Sequence, residues 1–343
     1  MSANESKLAA SKSLLRMKKD NHILTIIALM LLVCIIMLIL KPGSYFTVLN
    51  VRSMIFQFPE YGVLALGMMA CMIAGGIDLS LVGIMNLSGV LAALIVKNMV
   101  LIEGGEVANP AMVVPAIVLA CVVAVVVGAA CGAFNGFIIG YFGLPAMLVT
   151  LCGLQLYTGL AYGITGGPAI NGMCDAFKNI ANGTVAGIPY VLFIFIAVVA
   201  VVVFIMKCTV FGHEIYFLGS NAQAAMYSGI NTLKVTIMTY MFSGILGGIS
   251  GILITSHLNS AKSSNGSTYT LLSLLIVVLG GVHPDGGKGR VAGVVLAVLL
   301  LQMIANAFGL MHMSDNAKTF ANGCLLIAAL VLSVVLEKRE AQK

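Results

Sequence analysis

Tryptophan is absent from this chain of 343 residues, and charge is scarce: 18 Lys and Arg with 12 Asp and Glu make only 9% of it. A soluble domain carries about 25% charged residues. With 60% hydrophobic residues and a mean hydropathy of +1.07, too little polar surface exists to coat a globule in water. These shortages exclude a soluble enzyme, a nucleic-acid binder and a disordered scaffold. They leave an all-α, polytopic transmembrane bundle whose expected surroundings are lipid, with no nucleic acid as partner.

Paired cysteine spacing is also missing. Cys34, Cys71, Cys121, Cys131, Cys152 and Cys324 stand in apolar runs, where a thiol behaves as a small hydrophobe, so neither a metal nor a disulfide framework is expected. A nucleotide site is missing too. The loop that cradles phosphates needs G-x-x-x-x-G-K-[ST] after a strand. The nearest candidate, Gly286-Gly287-Lys288-Gly289-Arg290, has Val282 where the first glycine belongs and Gly289 where the metal-binding hydroxyl belongs. No catalytic residue and no cofactor are expected on this chain.

What is present is a series of apolar runs bounded by Gly, Pro, Asn or charge. They predict ten spans, at 23–40, 54–74, 80–97, 112–139, 146–163, 189–206, 235–256, 270–282, 291–309 and 319–336. The first is a retained span and not a signal peptide: it is 18 residues long and runs into Lys41-Pro42-Gly43 with no small-residue cleavage site. The eighth is short, and both Gly280-Gly281 and Gly75-Gly76-Ile77-Asp78 read as unwound backbone held inside the protein. The 38 glycines point to closely packed helices. Placing the amino terminus inside assigns 12 bases to inner segments and 6 to outer ones, and an even span count returns the carboxyl terminus to the cytoplasm. The expected organisation is a cytoplasmic tail (1–22), a membrane domain (23–336) and a second cytoplasmic tail (337–343).

Charge is missing from the spans themselves. Those at 112–139, 146–163, 189–206 and 235–256 hold no Asp, Glu, Lys, Arg or His, which disfavours coupling to an ion gradient. The spans offer neutral polar groups instead: Asn86, Asn135, Gln155, Tyr157, Thr158, Tyr162, Gln302, Asn306 and Asn322. Uncharged donors and acceptors suit a neutral polyhydroxylated solute, although each one taken singly also suits helix-to-helix bonding. Asp78, two residues before Ser80, reads foremost as a cap for the third span and secondarily as part of a translocation path. Glu60 reads as interfacial. The expected path residues are Asp78, Ser80, Asn86, Asn135, Gln155, Tyr157 and Asn306.

Two connections are too long for plain turns, an outer one at 164–188 and an inner one at 207–234. Inside the latter, Asn221 is a natural helix start and Gly229 a natural stop, which predicts a short helix projecting into the cytoplasm. The expected docking set is Gly219, Asn221, Ala222, Ala225, Ser228, Gly229 and Ile230. Small Ala222, Ala224 and Ala225 permit close approach by a partner, with Met226 and Tyr227 filling its recesses.

Four segments, met in order, then resemble one family. They are Gly75-Gly76-Ile77-Asp78-Leu79-Ser80; the stretch from Thr150 through Gly159-Leu160 to Thr165-Gly166-Gly167-Pro168-Ala169-Ile170; Gly212-His213-Glu214 through Gly219-Ser220-Asn221 to Ser228-Gly229-Ile230; and Val278-Leu279-Gly280-Gly281 with Gly286-Gly287-Lys288-Gly289. Together they resemble the ribose-type sugar permeases of bacterial ABC importers, over about residues 46–336. The sequence departs from the family pattern at Leu81-Val82-Gly83 after the Asp78 motif, at Thr158 and at Met226. The resemblance implies an inner-membrane permease for a pentose, hexose or autoinducer-2-like solute. It also implies a second permease copy or paralogue, a cytoplasmic ATPase subunit that carries ATP and Mg, and an extracytoplasmic sugar-binding protein. The competing readings are an autonomous ion-coupled carrier and a membrane scaffold or receptor.

Overall fold

The computed structural model describes residues 23–100, 102, 103, 106, 107, 109–314, 316–318, 320–327 and 331. The expected tails 1–22 and 337–343 and the far end of the expected tenth span lie outside them. Among the described residues eight helices are long and apolar enough to cross a membrane: α1 (Ile23–Leu40), α2 (Val48–Ile73), α3 (Leu81–Val100), α4 (Val113–Phe142), α5 (Ala146–Thr165), α7 (Tyr190–Cys208), α10 (Thr232–Leu258) and α12 (Val291–Leu310). Between them lie four short helices, α6 (Asp175–Asn182), α8 (Val210–Ser220), α9 (Ala222–Tyr227) and α11 (Tyr269–Leu279). Helical backbone resumes at 316–318 and 320–327. Three ribbons of paired two-residue antiparallel strands and one 3-10 turn (Pro110–Met112) complete the described elements.

The expected eighth span is where the structure differs most. α11 has 11 residues, about 16 Å of helix against the ~30 Å hydrocarbon core, so the helix alone is too short to cross it. Its end is set locally. Gly281, at φ +80°, turns the chain, and the amides of Gly280 and Val282 bond back to Ile276 and Val277 at 2.7 and 3.2 Å. The inner connection also differs: the stretch ahead of Asn221 forms a second helix, α8, started by Thr209, whose hydroxyl accepts the Gly212 amide at 3.1 Å.

Helices α2, α3 and α10 are mostly buried, whereas α1, α4, α5 and α7 turn most of their surface outward. The pairing of α4 with α10 follows from residue size. On α4 the buried positions Ala116, Ala120, Ala124, Gly128, Gly132 and Gly136 recur every fourth residue, one face of a helix. Opposite them stand Tyr240, Gly244 and Gly248 of α10. A Cβ added at Gly128 would strike the Gly244 carbonyl, and one at Gly244 would strike the Gly128 carbonyl. Backbone meets backbone there, which is how helices gain packing energy where lipid supplies no hydrophobic drive.

The connection at 164–188, expected on the outer side, is fastened to the end of α10. Ser256 Oγ accepts the Ala181 amide at 3.0 Å and donates to the Phe177 carbonyl at 2.7 Å, while Asn182 Nδ2 donates to the Ser256 and His257 carbonyls at 3.0 and 3.1 Å. On the exposed side of α6, Lys178 Nζ donates to Asp175 at 2.7 Å and holds that carboxyl below the usual carboxylate range.

Gly128→Leu places a side chain against a carbonyl that cannot yield, so it should cost about 3 kcal/mol, the upper end for overpacking. Gly309→Leu, with no atom within 4 Å of the new Cβ, should leave stability unchanged. Melting temperatures of the two variants in detergent check this.

Candidate functional site

The break between α2 and α3 is the first feature to combine charge with burial. Gly75 takes φ +89°, a conformation L side chains rarely adopt, and a Cβ at Gly76 would overlap the Tyr240 hydroxyl. The chain therefore leaves α2 only because glycines stand there. Asp78, fully buried, then gathers the loose ends. Its Oδ1 accepts the Ser80 amide at 3.1 Å and the Ser80 hydroxyl at 2.5 Å, and its Oδ2 accepts Ser243 Oγ of α10 at 2.8 Å. Ser80 Oγ accepts Asn135 Nδ2 of α4 at 2.8 Å, and Asn135 Oδ1 accepts the Tyr157 hydroxyl of α5 at 2.8 Å. Thr150 Oγ of α5 reaches the Ile77 carbonyl at 3.0 Å.

Asp78, Ser80, Asn135 and Tyr157 thus form one buried chain of hydrogen bonds that ties the broken helix to α4, α5 and α10. The remaining path candidates lie elsewhere. Asn306 and Asn50 exchange two amide bonds of 2.9 Å, a clamp between α12 and the start of α2. Asn86 Nδ2 holds the Ser263 carbonyl at 2.8 Å, and its Oδ1, like the Tyr240 hydroxyl, is buried without a partner among the described residues. Gln155 sits exposed on α5, in a groove of about 480 Å³ that it shares with Leu156, Gly159 and Gly163.

A second polar cluster was not expected from the sequence. Glu60 is buried in α2, its Oε1 bonded to His257 Nδ1 and its Oε2 accepting the Tyr269 hydroxyl at 3.2 Å. Ser250 Oγ holds the Glu60 carbonyl at 2.7 Å. Glu60 is thus buried within the protein, where it joins α2, α10 and α11. The sequence signal was the seven-residue spacing of Ser250 and His257, two turns on one face of α10, hidden because the span was ended at residue 256.

The inner connection presents a compact, capped element. Asn221 Oδ1 accepts the Ala224 amide at 2.9 Å, and the Ile230 amide bonds the Ala225 carbonyl at 3.1 Å across Gly229 at φ +84°. Ala222, Met226, Tyr227, Ser228 and Gly229 are exposed, Tyr227 at 85%. Ala225 is 3% exposed, so its side chain packs inward and cannot meet a partner. Gly219, near the end of α8, abuts the Ile73 carbonyl; the same carbonyl accepts the Gly287 amide at 2.8 Å. A Cβ at Gly286 would lie 2.8 Å from both the Gly219 carbonyl and Gly75 Cα. Three glycine segments, 75–76, 219 and 286–287, therefore meet at the end of α2, five residues from Asp78.

Asp78→Asn keeps an acceptor for the Ser80 amide, whereas Asp78→Leu leaves that amide and the Ser80 and Ser243 hydroxyls short of a partner, at roughly 1–3 kcal/mol for each group stranded. The Asn variant should melt within a few degrees of the parent and the Leu variant far below it. Equal melting temperatures would remove Asp78 as the tie.

Comparison with known proteins follows this geometry. No solved structure matches the chain. It is 32% identical over 309 residues to the ribose import permease protein RbsC of Haemophilus influenzae, covering 89% of this chain and 90% of that one. It is 26% identical over 315 residues to the L-arabinose transport system permease protein AraH of Escherichia coli (92% and 90% covered). It is 30% identical over 292 residues to the autoinducer 2 import system permease protein LsrD of Photorhabdus temperata (82% and 83%). Residues 50–330, which contain the glycine junction, the Asp78 tie and the capped inner helices, match the family described as branched-chain amino acid transport system / permease component. The chain belongs to that family of membrane permeases.

Proposed function

We propose that this chain is the inner-membrane permease subunit of an ATP-driven importer and passes a monosaccharide or similar small neutral solute. The observation that carries the reading is the near full-length similarity to ribose, arabinose and autoinducer 2 permeases. The supply of uncharged polar groups within the spans supports it. As a transport subunit the chain is not an enzyme; ATP is hydrolysed on a separate cytoplasmic subunit, and an extracytoplasmic binding protein delivers the solute. Both termini face the cytoplasm, with α11 and the unwound 280–290 segment together making one crossing, as the approach of Gly289 to Ile73 at the end of α2 supports, and the helix beyond residue 316 making the last. The translocation path runs between two permease copies along the exposed α5 groove, where Gln155 offers a neutral amide and Gly159 and Gly163 leave room.

Coupling runs through the inner connection. α9 presents Met226 and Tyr227 outward to the ATPase, and α8 passes movement through Gly219 to the end of α2 and so to Asp78. A rigid, doubly capped helix is suited to this, because it moves as a body.

One observation favours a second reading, an autonomous ion-coupled carrier: the buried Glu60–His257–Tyr269 cluster. Ionisable groups at such depth serve proton relays in pumps and carriers. Proteoliposomes separate the two. Uptake of labelled sugar should require ATPase, binding protein and ATP, and should survive an ionophore. Uptake by this chain alone that collapses with the ion gradient and is lost in Glu60→Gln would establish the carrier instead.

Tyr227→Asp changes only an exposed side chain and should alter stability by no more than about 0.5 kcal/mol. It should nevertheless weaken co-purification of the ATPase and abolish ATP-dependent uptake. Unchanged co-purification and uptake would show that α9 does not dock.

A further inference from the structure

Around the α2–α3 break, Ser80, Asn135, Thr150, Tyr157 and Ser243 all hold hydrogen bonds, and Tyr240 does not. Tyr240, on α10, is 2% exposed, and its hydroxyl is buried with no partner among the described residues. An unpaired hydroxyl shut away from water costs free energy, so phenylalanine, with the same ring, would suit the arrangement seen here better. A phenol kept against that cost points to a use in another arrangement.

The surroundings of the ring say what the use is. Tyr240 rises from the glycine seam: a Cβ at Gly132 would strike its carbonyl, and one at Gly136 would lie 3.1 Å from its Cβ. The hydroxyl reaches Gly76 in the break, where an added Cβ would overlap it and would also lie 3.1 Å from Ala146 at the start of α5. The phenol therefore stands where the end of α2, the start of α5 and the seam meet.

Three residues further along α10, on the same face, Ser243 Oγ donates to Asp78 Oδ2 at 2.8 Å. A carboxylate has about four lone-pair sites. From the described residues Asp78 accepts two bonds at Oδ1 and one at Oδ2, so Oδ2 can take one more. The other acceptors nearby are poorer. The Ile77 carbonyl already accepts Thr150 Oγ at 3.0 Å. Cys71, which with Asp78 lies within electrostatic reach of the phenol, offers only a thiol, a weak acceptor.

We propose that Tyr240 is a positioning residue of the transport cycle: its hydroxyl bonds Asp78 Oδ2 when the 75–78 break rearranges, and so favours the rearranged form over the one seen here. The proposal rests on the importer reading. A group unpaired in one arrangement and paired in another shifts the balance between them by that difference.

Tyr240→Phe in the full-length chain tests it, since the change removes one oxygen and keeps the ring. Without partner subunits the variant should melt a few degrees above the parent chain in detergent. In proteoliposomes with ATPase, binding protein and ATP, its maximal rate of sugar uptake should fall at least about fivefold, the lower end of typical coupling between sites. The apparent KM should stay the same, because the hydroxyl touches no solute. A tyrosine that only packs would shift neither stability nor uptake, and a bonded structural one would lose stability. A melting temperature equal to or below the parent's, or failure to fold, would therefore overturn the proposal. So would uptake at the parental maximal rate, or a raised KM that puts the phenol on the solute path. A parent chain that shows no ATP-driven uptake would instead overturn the importer reading, and this proposal with it.

Discussion

The contact of α4 with α10 at Gly128, Gly132, Gly244 and Gly248 sets the terms for everything else in the bundle. It brings two backbones so close that carbonyls occupy the space of side chains. That closeness has a second consequence: short polar side chains can reach across. Asn135 on α4 and Ser243 on α10 are one turn or less from the glycine seam, and both bond the Asp78–Ser80 segment. With bulkier residues in the seam the helices would part by more than a hydrogen bond can span, and Asp78 would lose partners on two sides at once. The small residues thus stabilise directly through packing and indirectly by making a buried carboxylate tolerable.

A carboxylate buried in a membrane needs such an explanation, because unpaired it is expensive. Asp78 accepts three hydrogen bonds, one from an amide at the start of α3 and two from hydroxyls. Its charge faces the positive end of a helix while its donors are themselves neutral. Glu60 follows a different rule, with an ionisable partner in His257 and a phenol in Tyr269. The two acids therefore differ in kind. The first belongs to a static tie within one helix break; the second joins three helices and holds the one described pairing of ionisable groups inside the bundle.

Much of the architecture was legible because apolar run length and glycine position report directly on membrane crossing and helix ending. The break at 75–78 and the early end of the eighth span could be read from adjacent glycines, and the capped helix after Asn221 from its Asn and Gly. What was hidden depended on tertiary neighbours. α8 was obscured because Gly212 and Gly219 read as loop residues; in the structure they are glycine because Gly212 abuts the backbone at Ile205–Met206 and Gly219 that at Ile73. His257 fell one residue past an apolar run, and only the fold shows that Glu60 awaits it. The direction of Ala225 was equally invisible: a helix of 6 residues carries too few positions to declare which face is covered.

The glycine junction gives these separate features a common physical logic. At the end of α2, Gly75, Gly219 and Gly286 approach through their backbones, with no side chain between them. Interfaces of this kind shift between discrete arrangements rather than deforming gradually. The Ile73 carbonyl, bonded by the Gly287 amide and pressed by Gly219, is the point where displacement of α8 must be felt. Five residues on, Asp78 is bonded to the start of α3 and to α10, and through Ser80 to α4, by bonds that cannot all be kept if one helix moves alone. On the coupling proposed above, a signal arriving at the exposed face of α9 would have a short route to the middle of the bundle, built from backbone contacts at one end and a carboxylate with three hydrogen bonds at the other.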